Sequence, residues 1–364
     1  MGFNCGIVGL PNVGKSTLFN ALTSTQAAEA ANYPFCTIEP NTGRVGVPDP
    51  RLDKLAAIAS SAKVVATQLE FVDIAGLVRG ASKGEGLGNQ FLANIRETDA
   101  VLHVLRCFEG EVTHVEGSVD PVRDAEIVDT ELMLADLEAL ERRVQTAAKR
   151  AKGGDKDAKV EIELMERALV VLREGKPARI VQLSADEREP FRRLALLTSK
   201  PVLYVCNVSE DEAATGNAHS ARVAEMAKAQ GAEAVVISAA IESELAQLSA
   251  EEKQEFLASI GLEEPGLNKV IRAGYRLLGL LTFFTVGPKE ARAWTVRAGA
   301  AAPEAAAEIH SDIQRGFIKA ETIDYDSFVA LGGEQGAKDA GKMRQEGKDY
   351  IVRDGDIFHF RFNV

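Results

Sequence analysis

No two cysteines stand at Cys-x-x-Cys spacing, no apolar run is long enough to cross a bilayer, and positive charge is in the minority. The 364 residues hold 42 Lys and Arg against 54 Asp and Glu, a net charge of -12. Each shortage excludes something. Cys5, Cys36, Cys107 and Cys206 are scattered, three of them in or beside apolar runs where a small buried thiol is common, so they read as reduced. The run LLGLLTFF (277 to 284) is too short for a membrane span. The first residues show neither the basic region nor the cleavage site of a signal peptide, and Gly6 stands where myristoylation needs Ser or Thr. A cytoplasmic protein with no membrane partner is expected. The acidic balance repels polyanions at long range, so DNA is not expected and any RNA contact needs a local basic patch. There is no internal repeat, and AGAAAPEAAAE (298 to 308) is a mild Ala-rich stretch read as a loop leading into a helix.

What is present, at 46% hydrophobic residues, is ample material for two or three domains. Short apolar runs recur as CGIVGL, LEFVDIAG, AVLHVLRC, PVLYVCN and AEAVVISA with helical stretches between them. That alternation predicts an α/β, doubly wound domain over residues 1–128 and 201–277. Residues 129–200 interrupt it with a charged helical insertion. Leu137, Leu140, Val144, Ala147 and Ala151 keep a 3-4 spacing, KGGDKD makes a turn, and Leu164, Ala168 and Val171 resume the spacing. Two antiparallel helices in a coiled-coil hairpin follow. Ser184 and Glu187 read as a capping box for one more helix ending before Pro201. Residues 278–364 read as a small α+β domain: two strands about Gly287-Pro288, one helix in AAEIHSDIQRGF, and two strands about Asp354-Gly355.

GLPNVGKST (9 to 17) matches G-x-x-x-x-G-K-[ST] between a strand-like run and the helix-like STLFNALTS. Backbone N–H groups along Asn12, Val13, Gly14, Lys15, Ser16 and Thr17 would wrap the phosphates of a nucleotide. Lys15 would bridge the β- and γ-phosphates, and the Ser16 hydroxyl would ligate Mg²⁺. DIAG (73 to 76) ends the next long strand, where such folds place an acid that holds Mg²⁺ and a Gly whose N–H meets the γ-phosphate; Asp73 and Gly76 take these roles. Thr37, in YPFCTIEPN, lies between them, and its hydroxyl would complete the Mg²⁺ shell, a plain loop Thr being the alternative. Leu77 stands where Ras-like proteins carry the Gln that orients the attacking water. Hydrolysis must then rely on another residue, a partner or a metal ion, and its intrinsic rate should be slow. The following GLVRGASKGEGLGNQ suits a segment ordered by the γ-phosphate and released on hydrolysis, or a flexible loop with no switching role.

NVSED (207 to 211) decides the base. Guanine readers place an Asp three residues after the Asn, where it accepts from guanine N1–H and the exocyclic amine. Here Glu210 is one methylene longer, Asp211 comes one position late, and Val208 replaces the Lys that lies along the base. Losing that bidentate geometry removes a discrimination of about 10⁴. ATP becomes the expected ligand, with Asn207 still able to bond purine N7 or the adenine amine and Ser238, in SAA (238 to 240), flanking the base.

These residues resemble the Obg-like ATPases of the YchF family, a branch of the Obg group of P-loop GTPases. MGFNCGIVGLPNVGKSTLFNAL, EFVDIAGLVRGASKGEGLGNQFLANIRE, NVSE and GEQGAKDAGKMRQEGKDYIVRDGD look like that family's signatures, and the likeness runs nearly the whole length. The resemblance implies a P-loop NTPase (G) domain carrying the helical hairpin and a C-terminal TGS domain of ubiquitin-like β-grasp fold. It implies Mg²⁺-dependent hydrolysis of ATP in preference to GTP, association with the ribosome, and adenine bound partly through the backbone of Val208. It also implies a catalytic His in a mobile loop, which THVEG puts at His114; on the residues alone, a solvated loop His is the alternative. Asn12 is similar to an Asn that helps hold K⁺ in some activated P-loop GTPases, against a loop Asn that packs or caps. His103, inside VLHVLR, reads as a packed strand residue, and His219, His310 and His359 fall in no recognisable site.

Arg142, Arg143, Lys149, Arg150, Lys152, Lys156 and Lys159 concentrate positive charge near the hairpin tip. They form either a solvated helix face or a contact for ribosomal RNA phosphates on the large subunit or the whole particle. The leading expectation is a slow ribosome-associated ATPase switch; a GTP-hydrolysing Obg-type switch and a nucleotide-gated scaffold with incidental hydrolysis are its rivals.

Overall fold

The computed structural model describes residues 3–30, 42–74, 87–110 and 117–363. Cys36, Thr37, Gly76, Leu77 and His114 lie outside the described residues. In chain order the first elements are β1 (Asn4–Val8), α1 (Lys15–Ala30), β2 (Thr42–Gly46), α2 (Pro50–Ala59), β3 (Val64–Val65), β4 (Gln68–Asp73), α3 (Leu87–Glu97) and β5 (Ala100–Arg106). Then come α4 (Pro121–Lys152), α5 (Lys156–Arg173), α6 (Arg188–Arg192), β6 (Val202–Asn207), α7 (Ala218–Ala229), β7 (Glu233–Ile237), α8 (Ala239–Leu245), α9 (Ala250–Ser259) and α10 (Gly266–Leu277). The remainder is β8 (Leu280–Val286), β9 (Ala291–Arg297), α11 (Ala302–Ile309), α12 (Ser311–Arg315), β10 (Phe317–Asp324), α13 (Tyr325–Ala330), α14 (Glu334–Asp339), β11 (Arg344–Glu346) and β12 (Asp356–Phe362). Two compact units result, Met1–Arg44 with Glu70–Gly274 and Val45–Leu69 with Tyr275–Val364.

The first unit is built on a sheet of order β2-β4-β1-β5-β6-β7, in which β4, β1, β5, β6 and β7 run parallel. Every residue of β5 and β6 is buried, which is why their sequences read as unbroken apolar runs rather than alternating ones. The chain reaches β4 on one side of β1 and β5 on the other. The carboxyl end of β1 is therefore the switch point where α/β sheets bind ligands. Cys5, Cys107 and Cys206 are buried free thiols.

The helical hairpin forms as its spacing predicts. Asp120 caps α4 by accepting from Arg123 N–H, with Pro121 at the first helical position, and Asp155 caps α5 by accepting from Ala158 N–H. Leu140, Ala147, Leu164, Met165, Ala168, Leu169 and Leu172 make one buried cluster between the two helices. At the root, the buried Asp136 carboxylate accepts from the N–H groups of Leu197 and Thr198 and from the Thr198 hydroxyl, at 2.8, 2.8 and 2.7 Å. Asp129 of α4 pairs with Arg179 at 3.5 Å and lies 3.3 Å from the Tyr204 hydroxyl of β6. The Ser184 box appears by half: Glu187 accepts from Ser184 N–H at 2.9 Å, but only the single turn α6 follows.

The second unit has a mixed sheet of order β11-β10-β12-β8-β9-β3, antiparallel except for β12 with β8 and β3 with β9. Helices packed over a mixed sheet with parallel strands at its centre make the β-grasp arrangement. Residues 45–69 fall within this unit, not with the 1–128 stretch in which the sequence placed them. The reason is apolar: Leu52, Leu55 and Ala56 of α2 share a core with Phe284, Ile323, Phe328 and Ile357. Two further differences have local causes. AAEIHSDIQRGF breaks into two helices at His310, whose extended backbone lets its ring Nδ1 accept from Asp312 N–H and cap the second. Residues 350–353 make one isolated bridge rather than a strand, because the Tyr350 hydroxyl and Arg353 N–H both turn to the buried Asp356 carboxylate, each at 2.9 Å.

Glu242 of α8 caps α10 from a distance, accepting from Gly266 N–H at 2.7 Å while its other oxygen is buried with no partner among the described residues. Burial pushes its pKa from 4.5 up to about 6, against the two N–H groups that cap it. A raised folded-state pKa means stabilisation that is present below pH 4.5 and lost as pH rises through 6. The stability of Glu242→Gln, set against the unsubstituted protein, should therefore improve by about 2 kcal/mol between pH 4.5 and 7. Urea denaturation at several pH values reads this; a difference that stays constant with pH would refute it.

Candidate nucleotide site

The phosphate loop leaves β1 and enters α1 at Lys15, passing through left-handed backbone at Asn12 (φ 62°) and Gly14 (φ 97°). Leu18 N–H donates to Gly14 O at 2.9 Å and closes the first turn of α1. The N–H groups ahead of it have no helical acceptor, so this end offers donors and positive potential to an anion. Ser16 and Thr17 are exposed on that turn. Lys15 is buried, and its ammonium donates to Leu10 O at 2.7 Å. Burial pulls the Lys15 pKa down to about 8, the Asp73 carboxylate opposing. Asp73 is held in register with Ile7 of β1, at the root of the loop, and burial raises its pKa with Lys15 opposing.

Asn207 ends β6 beside Arg106 of β5 and Ile237 of β7. Its Nδ2 donates to Val13 O at 3.0 Å, and its Oδ1 accepts from Ala239 N–H at 2.9 Å. One carboxamide thus ties the phosphate loop to the start of α8 and keeps a second N–H for a base. A Cβ added at Gly14 would lie 2.3 Å from Nδ2, so position 14 has room only for glycine. Val208 is buried and its N–H donates to Ile237 O at 2.8 Å, while its carbonyl accepts from no group among the described residues. The Ser238 hydroxyl is buried with no hydrogen-bond partner among the described residues. Glu210 and Asp211 are both exposed on a short 3₁₀ turn, Glu210–Glu212.

Glu212 and Asn217 escape a motif search. The Glu212 carboxylate accepts from the Ser209 hydroxyl at 2.6 Å and from Asn217 Nδ2 at 2.8 Å, and the same Nδ2 donates to Cys107 O at 2.6 Å. These bonds fix the turn that carries Glu210. Their one signal in the sequence is Asn217 with Ser220, a capping box for α7. His103 is a packed strand residue: burial drives its pKa down to about 3, so it stays neutral beside Tyr204. His219 is half-buried, His310 caps α12 and His359 is exposed.

Among the described residues no group of three or more His, Cys, Asp or Glu is placed to hold a metal ion. A Mg²⁺ here would rest on the Ser16 hydroxyl, Asp73 and the phosphate oxygens of the nucleotide, the donor set that hard cation prefers. The half-buried Asp73 fits that role, since a cation would relieve the cost of burying its charge.

Residues 4–139 match the family model of 50S ribosome-binding GTPases, and residues 280–363 match that of the YchF GTPase C-terminal domain, described as a protein of unknown function. The chain is 60% identical over 365 residues to the ribosome-binding ATPase YchF of Haemophilus ducreyi, and 54% identical over 367 residues to that of Bacillus subtilis; each alignment covers 100% of both proteins. It is also similar to the solved structure of the Schizosaccharomyces pombe YchF GTPase, with a TM-score of 0.89 and 36% identity over 99% of this chain and 98% of that one.

If the Asn207 bridge organises the loop, Gly14→Ala should break it. Nucleotide affinity should fall by about tenfold or more, the equivalent of one lost hydrogen bond. Titration with a fluorescent ATP analogue measures this, and unchanged affinity in a folded variant would show that the bridge is dispensable.

Proposed function

The chain belongs to the YchF family, and from that premise we propose that it is a slow, Mg²⁺-dependent ATPase of the cytoplasm that works as a ribosome-associated switch. The observation that carries the choice of ATP is the commitment of the Val208 N–H to Ile237 O. The remaining carbonyl accepts from the exocyclic amine of adenine and opposes the O6 acceptor that guanine presents at the same edge. Asn207 keeps one N–H for purine N7. Glu210, on its exposed turn, is too long to repeat the planar grip of an Asp on guanine. Ser238 supplies a hydroxyl beside the base that has no partner among the described residues.

On the phosphate side, Lys15 and the N–H groups from Asn12 to Thr17 hold the β- and γ-phosphates. Ser16 and Asp73 hold Mg²⁺, which when bound neutralises charge developing on the phosphate oxygens. Thr37 and Gly76 complete this reading as partners of Mg²⁺ and of the γ-phosphate. With an aliphatic Leu77 unable to orient water, His114 is the group proposed to do so, and Asn12 is proposed to help hold K⁺. The C-terminal unit is read as a TGS domain. The lysines at the hairpin tip support contact with ribosomal RNA, since Lys149, Lys152, Lys156 and Lys159 are exposed and make no ion pair among the described residues.

Parallel titration of nucleotide-free protein with ATP and GTP, in Mg²⁺ and K⁺, should give ATP the tighter binding by about tenfold. Tighter GTP binding would overturn the reading in favour of a guanine switch. His114→Ala should lower kcat by about 10² or more with ATP affinity unchanged, and equal hydrolysis rates in Na⁺ and K⁺ would remove the role given to Asn12.

A further inference from the structure

Away from the nucleotide site, the first unit has a cavity of about 410 Å³ at the root of the helical arm. Arg96, Arg142 and Arg143 line it, with Asp136, Ala139 and residues Leu194–Leu196 as the rest of its wall. Three guanidiniums around one hollow are notable in a chain of net charge -12. Their charges are only partly answered. Arg96 makes no ion pair among the described residues. Arg142 meets Glu138 at 3.5 Å, but those side chains are 73% and 61% exposed, and such a pair holds little. Arg143 donates to Leu194 O in the cavity wall and shares the single carboxylate of Glu161 with Arg150, so the open charge rests chiefly on Arg96 and Arg142. The acid inside the cavity, Asp136, already receives three hydrogen bonds from Leu197 and Thr198 and is spent.

We propose that this cavity is a phosphate site, and that its occupant is the backbone of an RNA strand. The inference rests on the ribosome-associated reading above and corrects it at two positions: Arg142 and Arg143, grouped by sequence with the hairpin tip, line a cavity with Asp136 and Arg96 instead. Planar guanidiniums suit phosphate oxygens, which they bind in bidentate fashion. The RNA source follows from continuity along α4. Lys149 and Arg150 stand seven residues beyond Arg142 and Arg143, almost two helical turns, so they lie on the same side of the helix about 10 Å further out. One strand laid along the arm would run from the tip into the cavity. Arg96 sits in the last turn of α3, the first helix after Asp73 and Gly76 in the sequence. The strand would thus be held jointly by the arm and by the element next to the γ-phosphate segment.

Binding of a fluorescein-labelled oligouridylate to the full chain, followed by anisotropy between 50 and 200 mM salt, tests the site without any ribosome. Arg96→Gln and Arg142→Gln should each weaken binding severalfold and flatten the plot of log affinity against log salt by about 0.7. Arg142→Lys should keep the slope. Slopes and affinities equal to those of the unsubstituted chain, with all loss confined to Lys149→Gln and Lys152→Gln, would overturn the proposal. So would inorganic phosphate competing as well as the oligonucleotide at equal phosphate concentration. Ribosome pelleting with the same variants separates the two readings: intact oligonucleotide effects with no pelleting would sink ribosome association and leave the phosphate site standing.

Discussion

Two hydrogen bonds from one carboxamide hold the nucleotide end of the sheet together. Asn207 closes on Val13 of the phosphate loop and on Ala239 at the start of α8, and both geometries demand something of their neighbours. Gly14 must lack a side chain, and the register of β6 between β5 and β7 must bring position 207 to the carboxyl edge. Asn207 is therefore part of the frame that shapes the loop, with one amide N–H left over from that framing. The residues after it are free to vary in what they read because the frame does not depend on them: Val208 is fixed by Ile237 and the turn at Glu210 by Glu212 and Asn217.

The same sheet anchors the arm. Asp129 and Arg179, both nearly buried, join the two ends of the helical insertion beneath Tyr204 of β6, and Asp136 ties α4 to the segment that returns to the sheet. Buried polar groups of this kind are costly unless satisfied, and they specify one arrangement where an apolar seam would allow sliding. A 32-residue helix projecting from a root so fixed turns with the domain rather than swinging freely on it.

The strands around the nucleotide site were legible because parallel buried strands write themselves as apolar runs, and the hairpin because Leu140, Ala147, Leu164 and Ala168 repeat at helical spacing. Motif spacing likewise draws Lys15, Asp73 and Asn207 to one edge of one sheet. What stayed hidden depends on partners far away in sequence. Nothing in PRLDKLAAIA says that its apolar face meets Phe284 and Ile357 rather than the preceding sheet. Tyr350 to Arg353 has a strand's composition, but Asp356 claims its polar groups. Glu212 and Ala239 act through a carboxylate and a backbone N–H, to which no residue-type motif points.

The membership of residues 45–69 in the second unit has a consequence during synthesis. Their partners, from Tyr275 onward, lie about 200 residues later, so at translation speeds of about 5–20 residues per second the helix with Leu52 and Leu55 waits tens of seconds for its core to be made. Over that interval the half-built chain presents an uncovered apolar helix, and every nascent copy passes through a state that holdase chaperones can recognise. Removing the C-terminal unit by truncation would make that state permanent.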